Sequence, residues 1–62
     1  MSREHEVMTT GEVAAYLRVP VATLYRWRST GSGPPAYSVG RHLRFRRVDV
    51  DAWLISQPDR SS

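Results

Sequence analysis

The stretch RHLRFRR, residues 41–47, sets four arginines and a histidine into seven positions, with Leu43 and Phe45 alternating between them. A guanidinium is a permanently charged, planar fork of N–H donors, suited to phosphate oxygens and to the acceptor edge of guanine. It makes and breaks no bonds by itself; it holds an anion. The same group recurs upstream, so that Arg18, Arg26, Arg28, Arg41, Arg44, Arg46 and Arg47 fall in a window from 18 to 47 that contains no acid. All six acidic residues lie outside that window, and the net charge of +3 understates the asymmetry. Like charges gathered on one part of a small domain cost stability unless solvent or a polyanion screens them. A solvated basic face is the plain alternative. A nucleic acid is favoured because all nine basic residues are arginine and none is lysine.

Other chemistries find little support. There is no cysteine, which removes disulfides and thiolate metal sites, and His5 and His42 have no partners at ligand spacing. No metal or other cofactor is expected. The acids are scattered over helix starts and tails, no glycine-rich phosphate loop precedes a helix, and no Ser, His and Asp set has a role beyond structure. The chain is therefore expected not to be an enzyme. No apolar run approaches the roughly 20 residues needed to span a bilayer. The opening MSREHEV has no hydrophobic core of a signal peptide, so a soluble, cytoplasmic chain without membrane contact is expected.

The basic residues must be positioned by a single domain, since 62 residues lie near the lower limit for one apolar core. Residues 1–7 read as a disordered leader, 8–57 as the domain and 58–62 as a flexible tail. In TTGEVAAYL, Thr9 followed by Glu12 suggests a capping box, with Thr10 as the alternative cap, and opens a helix over about Thr10 to Leu17. Pro20 forces a stop and restart within a few residues. The second helix then runs from Pro20 or Val21 to Ser29, with Gly31 as its left-handed stop. At about 100° per residue, Leu24 and Trp27 turn inward while Ala22, Arg26 and Ser29 look out. GSGPP makes a loop. AYSVG and LRFR flank GRH as a β-hairpin, with Leu43 and Phe45 toward the core and Arg44 and Arg46 pointing the other way. A last helix covers VDVDAWLISQ, with Asp49 and Asp51 in its first turn and Val50, Trp53 and Leu54 as its buried stripe.

The fold expected is mainly α with a small β-hairpin, in the order helix-turn-helix-strand-strand-helix: a winged helix-turn-helix. Its second helix would enter the major groove of double-stranded DNA, and its wing would reach the neighbouring backbone or minor groove. Arg41, His42, Arg44 and Arg46 would then face phosphate from the wing. On the second helix, Arg26 is a base or phosphate contact or else a solubilising residue, beside a small Ala22 that permits close approach. Arg28 either lies along the wing or touches DNA. Tyr25 can pack its ring and offer its hydroxyl to phosphate; Thr23 either donates to phosphate or steadies the helix start.

The runs MTTGEVAAYLRVPVATLYRWRSTG and PPAYSVGRHLRFRRVDVDAWL resemble the small MerR-like excisionase DNA-binding domains, which include phage excisionases and BldC-type regulators. The likeness covers residues 8–54. It implies a non-enzymatic recombination directionality factor, encoded by a phage or prophage and working in the bacterial cytoplasm. Such a protein binds several sites beside a phage attachment site, bends the DNA and steers the phage integrase toward excision, with head-to-tail self-association on neighbouring sites. The resemblance places recognition-helix contacts on Val21, Ala22, Thr23, Tyr25 and Arg26, and wing contacts on Arg41, His42 and Arg44. Pro20 departs from the Ser or Thr that caps this helix in many members, and the loop STGSGPPAY carries an extra Gly-Ser. A BldC-type regulator at a promoter would share fold and contacts. A protein-interaction module with a basic face is the third expectation.

Overall fold

The structure, a computed structural model, describes residues 6–58. Of the leader expected over 1–7 and the tail expected over 58–62, residues 1–5 and 59–62 lie outside the described residues. In chain order the elements are β1 (Val7–Thr9), α1 (Thr10–Leu17), α2 (Val21–Thr30), β2 (Tyr37–Val39), β3 (His42–Arg46) and α3 (Arg47–Ile55). This is the winged helix-turn-helix arrangement expected from the sequence, with one strand more.

The capping box at α1 is formed. Thr9 Oγ1 accepts from the Glu12 backbone N–H at 3.1 Å, and Glu12 Oε1 accepts from the Thr9 N–H at 2.8 Å, which settles the cap on Thr9 rather than Thr10. Arg18 closes the helix in the left-handed region, at φ 60° and ψ 44°. Pro20 then opens α2 with an extended backbone and no side-chain cap, and Gly31 ends it at φ 79°.

β3 is the centre of a three-stranded antiparallel sheet in the order β1-β3-β2. Met8 pairs with Phe45 on one side and Ser38 with Leu43 on the other. The extra strand takes Val7, the last residue of the leader expected over 1–7. Three residues are too short to show alternation, and the partner strand is remote in sequence. Met8 turns inward opposite Phe45, and both are 4% exposed.

The core gathers a buried side chain from five of the six elements: Met8, Val13 with Ala14, Leu24, Phe45 and Val50. Leu17, Val19, Trp27, Ala36 and Leu43 pack around it. The loop from Gly31 covers Trp27. A Cβ at Gly33, whose φ is +84°, would stand 3.0 Å from the Trp27 Cβ, so glycine is required there on two grounds.

α3 departs from expectation. It begins at Arg47 and ends at Ile55, only Asp49 of the two acids lies in its first turn, and its buried stripe is narrower than Val50, Trp53 and Leu54. Val50 is fully buried and Trp53 half-buried, while Leu54 is 47% exposed. Leu54 lies about 40° to one side of Val50 on the helix and Trp53 about 60° to the other. The helix is rolled toward Trp53, which stacks at a tilt on Trp27 with 5.4 Å between ring centroids, and this roll carries Leu54 into solvent.

Candidate nucleic-acid interface

α2 presents a continuous outer face. Its buried side chain is Leu24, and on the far side Ala22, Arg26 and Ser29 are exposed as the helical count requires. Val21 at 40% and Tyr25 at 53% exposure extend this face along one edge. Thr23 is half-buried in the first turn, where its backbone N–H donates to the Pro20 carbonyl at 3.0 Å. The small Ala22 leaves room for Arg26 and Tyr25 to meet a groove floor without obstruction.

The wing turns at Gly40 and Arg41, between the closing pair Val39 and His42. Gly40 has φ 62° and Arg41 does not share the positive value, which among the two-residue hairpin turns matches type II′. Arg41 is exposed at the tip. From there β3 alternates: Leu43 and Phe45 face inward, and His42, Arg44 and Arg46 face outward. Arg44 is half-buried between its cross-strand neighbours Thr9 and Tyr37, and its Nη1 donates to the Leu43 carbonyl at 2.7 Å. Arg46 is exposed about 13 Å along the strand from His42, next to α3 rather than next to the tip.

Arg28 points elsewhere again. It lines a cavity of about 200 Å³ between α2 and the sheet, together with Leu24, Trp27, Leu43 and Phe45. Its side chain is exposed, so both positions expected for it, along the wing and against DNA, stay open to it.

Arg47 belongs to the fold. Its guanidinium sits 4.5 Å from the centre of the Tyr16 ring, donates to the Tyr16 hydroxyl at 3.2 Å, and pairs with Glu6 at 3.5 Å and Asp51 at 3.7 Å. The Tyr16 hydroxyl in turn donates to Asp51 Oδ1 at 2.6 Å. That bond, and then burial, hold the Tyr16 hydroxyl above the usual phenol range, while Arg47 pulls the other way.

The residues expected to contact DNA from the second helix and the wing lie in four places. Val21, Ala22, Tyr25 and Arg26 share the outer face of α2; Arg41 and His42 form the tip; Arg44 and Arg46 lie on the outer face of the sheet; Arg28 lines the cleft. The signal for this division is in the sequence, because alternation in HLRFR already sends Arg44 and Arg46 away from Leu43 and Phe45. What it lacks is the place of the sheet relative to α2.

A helix, a tight left-handed turn, an exposed second helix and a hairpin wing define the winged helix-turn-helix class of DNA-binding domain. The model of a family described as a helix-turn-helix domain matches residues 7–58, and the chain belongs to that family, which includes small excisionase-like DNA-binding proteins. Membership indicates DNA binding. No curated protein matches the chain. Among the described residues, no helix is long and apolar enough to cross a membrane.

Proposed function

We propose that this chain is a sequence-specific DNA-binding protein of the excisionase type, acting without catalysis. α2 lies in the major groove, where Arg26 reaches a base edge and Val21, Ala22 and Tyr25 fit the groove wall. The wing tip, through Arg41 and His42, holds the adjacent backbone or minor groove. The observation that carries this reading is the exposed face of α2, in which a small Ala22 stands beside Arg26 and Tyr25 on a helix held rigid by Leu24 and Trp27.

A module of this size covers only about 600–1,000 Å² of DNA-facing surface, which limits the affinity of one copy. Cooperative head-to-tail copies on neighbouring sites, with bending at flexible steps, supply the missing occupancy and specificity. In that setting the chain orders DNA beside an attachment site so that a phage integrase runs toward excision. The resemblance of residues 8–54 to excisionases supports this role.

The test is selection of bound fragments from the source genome by the purified protein, followed by sequencing. Several sites in one direction beside an attachment core are expected. Sites confined to promoters would replace excision by transcriptional regulation, and no retained DNA at low salt would refute DNA binding and leave the basic face to a protein partner.

A further inference from the structure

The cavity of about 200 Å³ between α2 and the sheet has an apolar floor and a polar rim. Leu24 and Phe45, each 4% exposed, form the floor with the buried Pro34, and the half-buried Trp27, Ala36 and Leu43 flank them. Tyr25, Arg28 and Ser32 are exposed and stand at the rim. Apolar walls with a few polar groups are the common form of a small-molecule site. A cavity of about 150 Å³ with apolar walls takes up benzene. This one has room for a single aromatic ring with a short substituent. Its loop wall is fixed to α2: a Cβ at Gly33 would stand 3.0 Å from the Trp27 Cβ, and the Ser32 N–H donates to the Trp27 carbonyl at 2.7 Å.

The rim carries charge of one sign. Arg28 is the charged residue among those lining the cavity, and Glu12, two positions beyond Thr10, lies outside the lining and gives an oxygen to the Thr9 N–H. Arg28 forms no ion pair among the described residues. The carbonyls that end α2 do not claim its guanidinium: the Gly31 N–H donates to that of Arg28, and the Ser32 N–H and Thr30 hydroxyl donate to that of Trp27. A guanidinium at the edge of an apolar cavity suits a carboxylate, whose two oxygens it can hold together. Thr10 supplies a second polar group. It lines the cavity at 9% exposure, and its hydroxyl forms no hydrogen bond among the described residues. No side-chain oxygen among them is both shut from solvent and unpartnered, so the Thr10 hydroxyl keeps access, and the cavity is the opening that Thr10 lines.

We propose that the cleft between α2 and the wing binds a small aromatic acid, with its ring against Leu24, Trp27, Leu43 and Phe45 and its carboxylate on Arg28. The site is tested on the free protein and does not depend on the DNA-binding reading.

The isotope-labelled full chain is titrated with sodium phenylacetate at constant ionic strength, and its backbone amide and tryptophan indole N–H signals are followed by NMR. Saturable shifts are expected at Trp27, Gly33 and Leu43. Phenylacetate should bind about tenfold or more tighter than acetate, which has the charge without the ring, and than N-acetylphenylalaninamide, which has the ring without the charge. Arg28→Gln changes an exposed residue and should keep the far-ultraviolet spectrum while losing about tenfold in phenylacetate affinity. Equal binding of acetate, or shifts centred on Arg41 and Arg46, would overturn the proposal and leave general attraction of anions to a basic surface. Equal binding of N-acetylphenylalaninamide would overturn it in favour of a seat for an aromatic side chain of a protein partner. Parental affinity in Arg28→Gln, or shifts that stay linear to the highest concentration, would overturn it as well.

Discussion

Truncating Arg26 to alanine isolates the contribution of α2 to DNA recognition, because nothing in the fold depends on that side chain. Arg26 is exposed, opposite Leu24 on the helix, and forms no ion pair with a described residue. Alanine is also the better helix former, so stability should change by no more than about 0.5 kcal/mol. For a domain of this size that is a melting shift of a few degrees at most, about 4 °C. On DNA the loss is larger. A bidentate contact to guanine contributes about 1–3 kcal/mol of discrimination, or roughly a 5- to 150-fold loss of affinity for the cognate site. The loss should be concentrated at one base pair. A phosphate contact would behave differently, weakening all sequences about equally and reducing the slope of log K against log salt by about 0.9. Fluorescence anisotropy on the cognate duplex, on single-base variants and at several salt concentrations separates these outcomes. Parental affinity for every duplex, with an unchanged far-ultraviolet spectrum, would refute the placement of α2 in the groove.

Val50→Ala empties a fully buried site shared with Phe45 and Val13, and should cost about 2–3 kcal/mol; with only about 3–9 kcal/mol available to a chain of this length, chemical denaturation should show a marginal fold. Gly33→Ala combines a positive φ with a 3.0 Å approach to Trp27 and should destabilise by about 1–3 kcal/mol, seen as a lower melting temperature together with altered tryptophan fluorescence. The Tyr16 hydroxyl is held above its ordinary value of 10.0 by its bond to Asp51, so its contribution to stability is complete below that pH and is lost as pH rises through the higher folded value. Tyr16→Phe should remove that part of the alkaline loss of stability, measured by denaturation at neutral pH and above pH 10; an unchanged alkaline profile would count against the bond.

Much of this fold is legible along the chain because its signals are local. The Thr9 to Glu12 capping box, Pro20 and Gly31 mark the ends of α1 and α2 by backbone chemistry that needs no partner. The same holds for the wing, where Gly40 makes the turn and HLRFR alternates. What escaped depends on contacts across the chain. β1 is a strand only because β3 lies beside it, and the roll of α3 toward Trp53 depends on where Trp27 stands. Arg47 shows the same limit at the level of the site: it reads as one more arginine of the wing, yet Tyr16, Glu6 and Asp51 from three other positions of the chain claim its guanidinium. Charge density in a sequence reports that a polyanion is expected, while the sorting of arginines between groove, backbone, cleft and fold is decided by packing.

The proposed entry of α2 into the major groove is tested most directly by methylation interference on a selected site, since dimethyl sulfate marks guanine N7 in the major groove and adenine N3 in the minor groove. Premethylated guanines at the centre of the site should abolish binding, with weaker interference at adenines to one side, where the tip with Arg41 lies. Interference confined to adenine N3, or none at any base, would contradict the entry of α2 into the major groove.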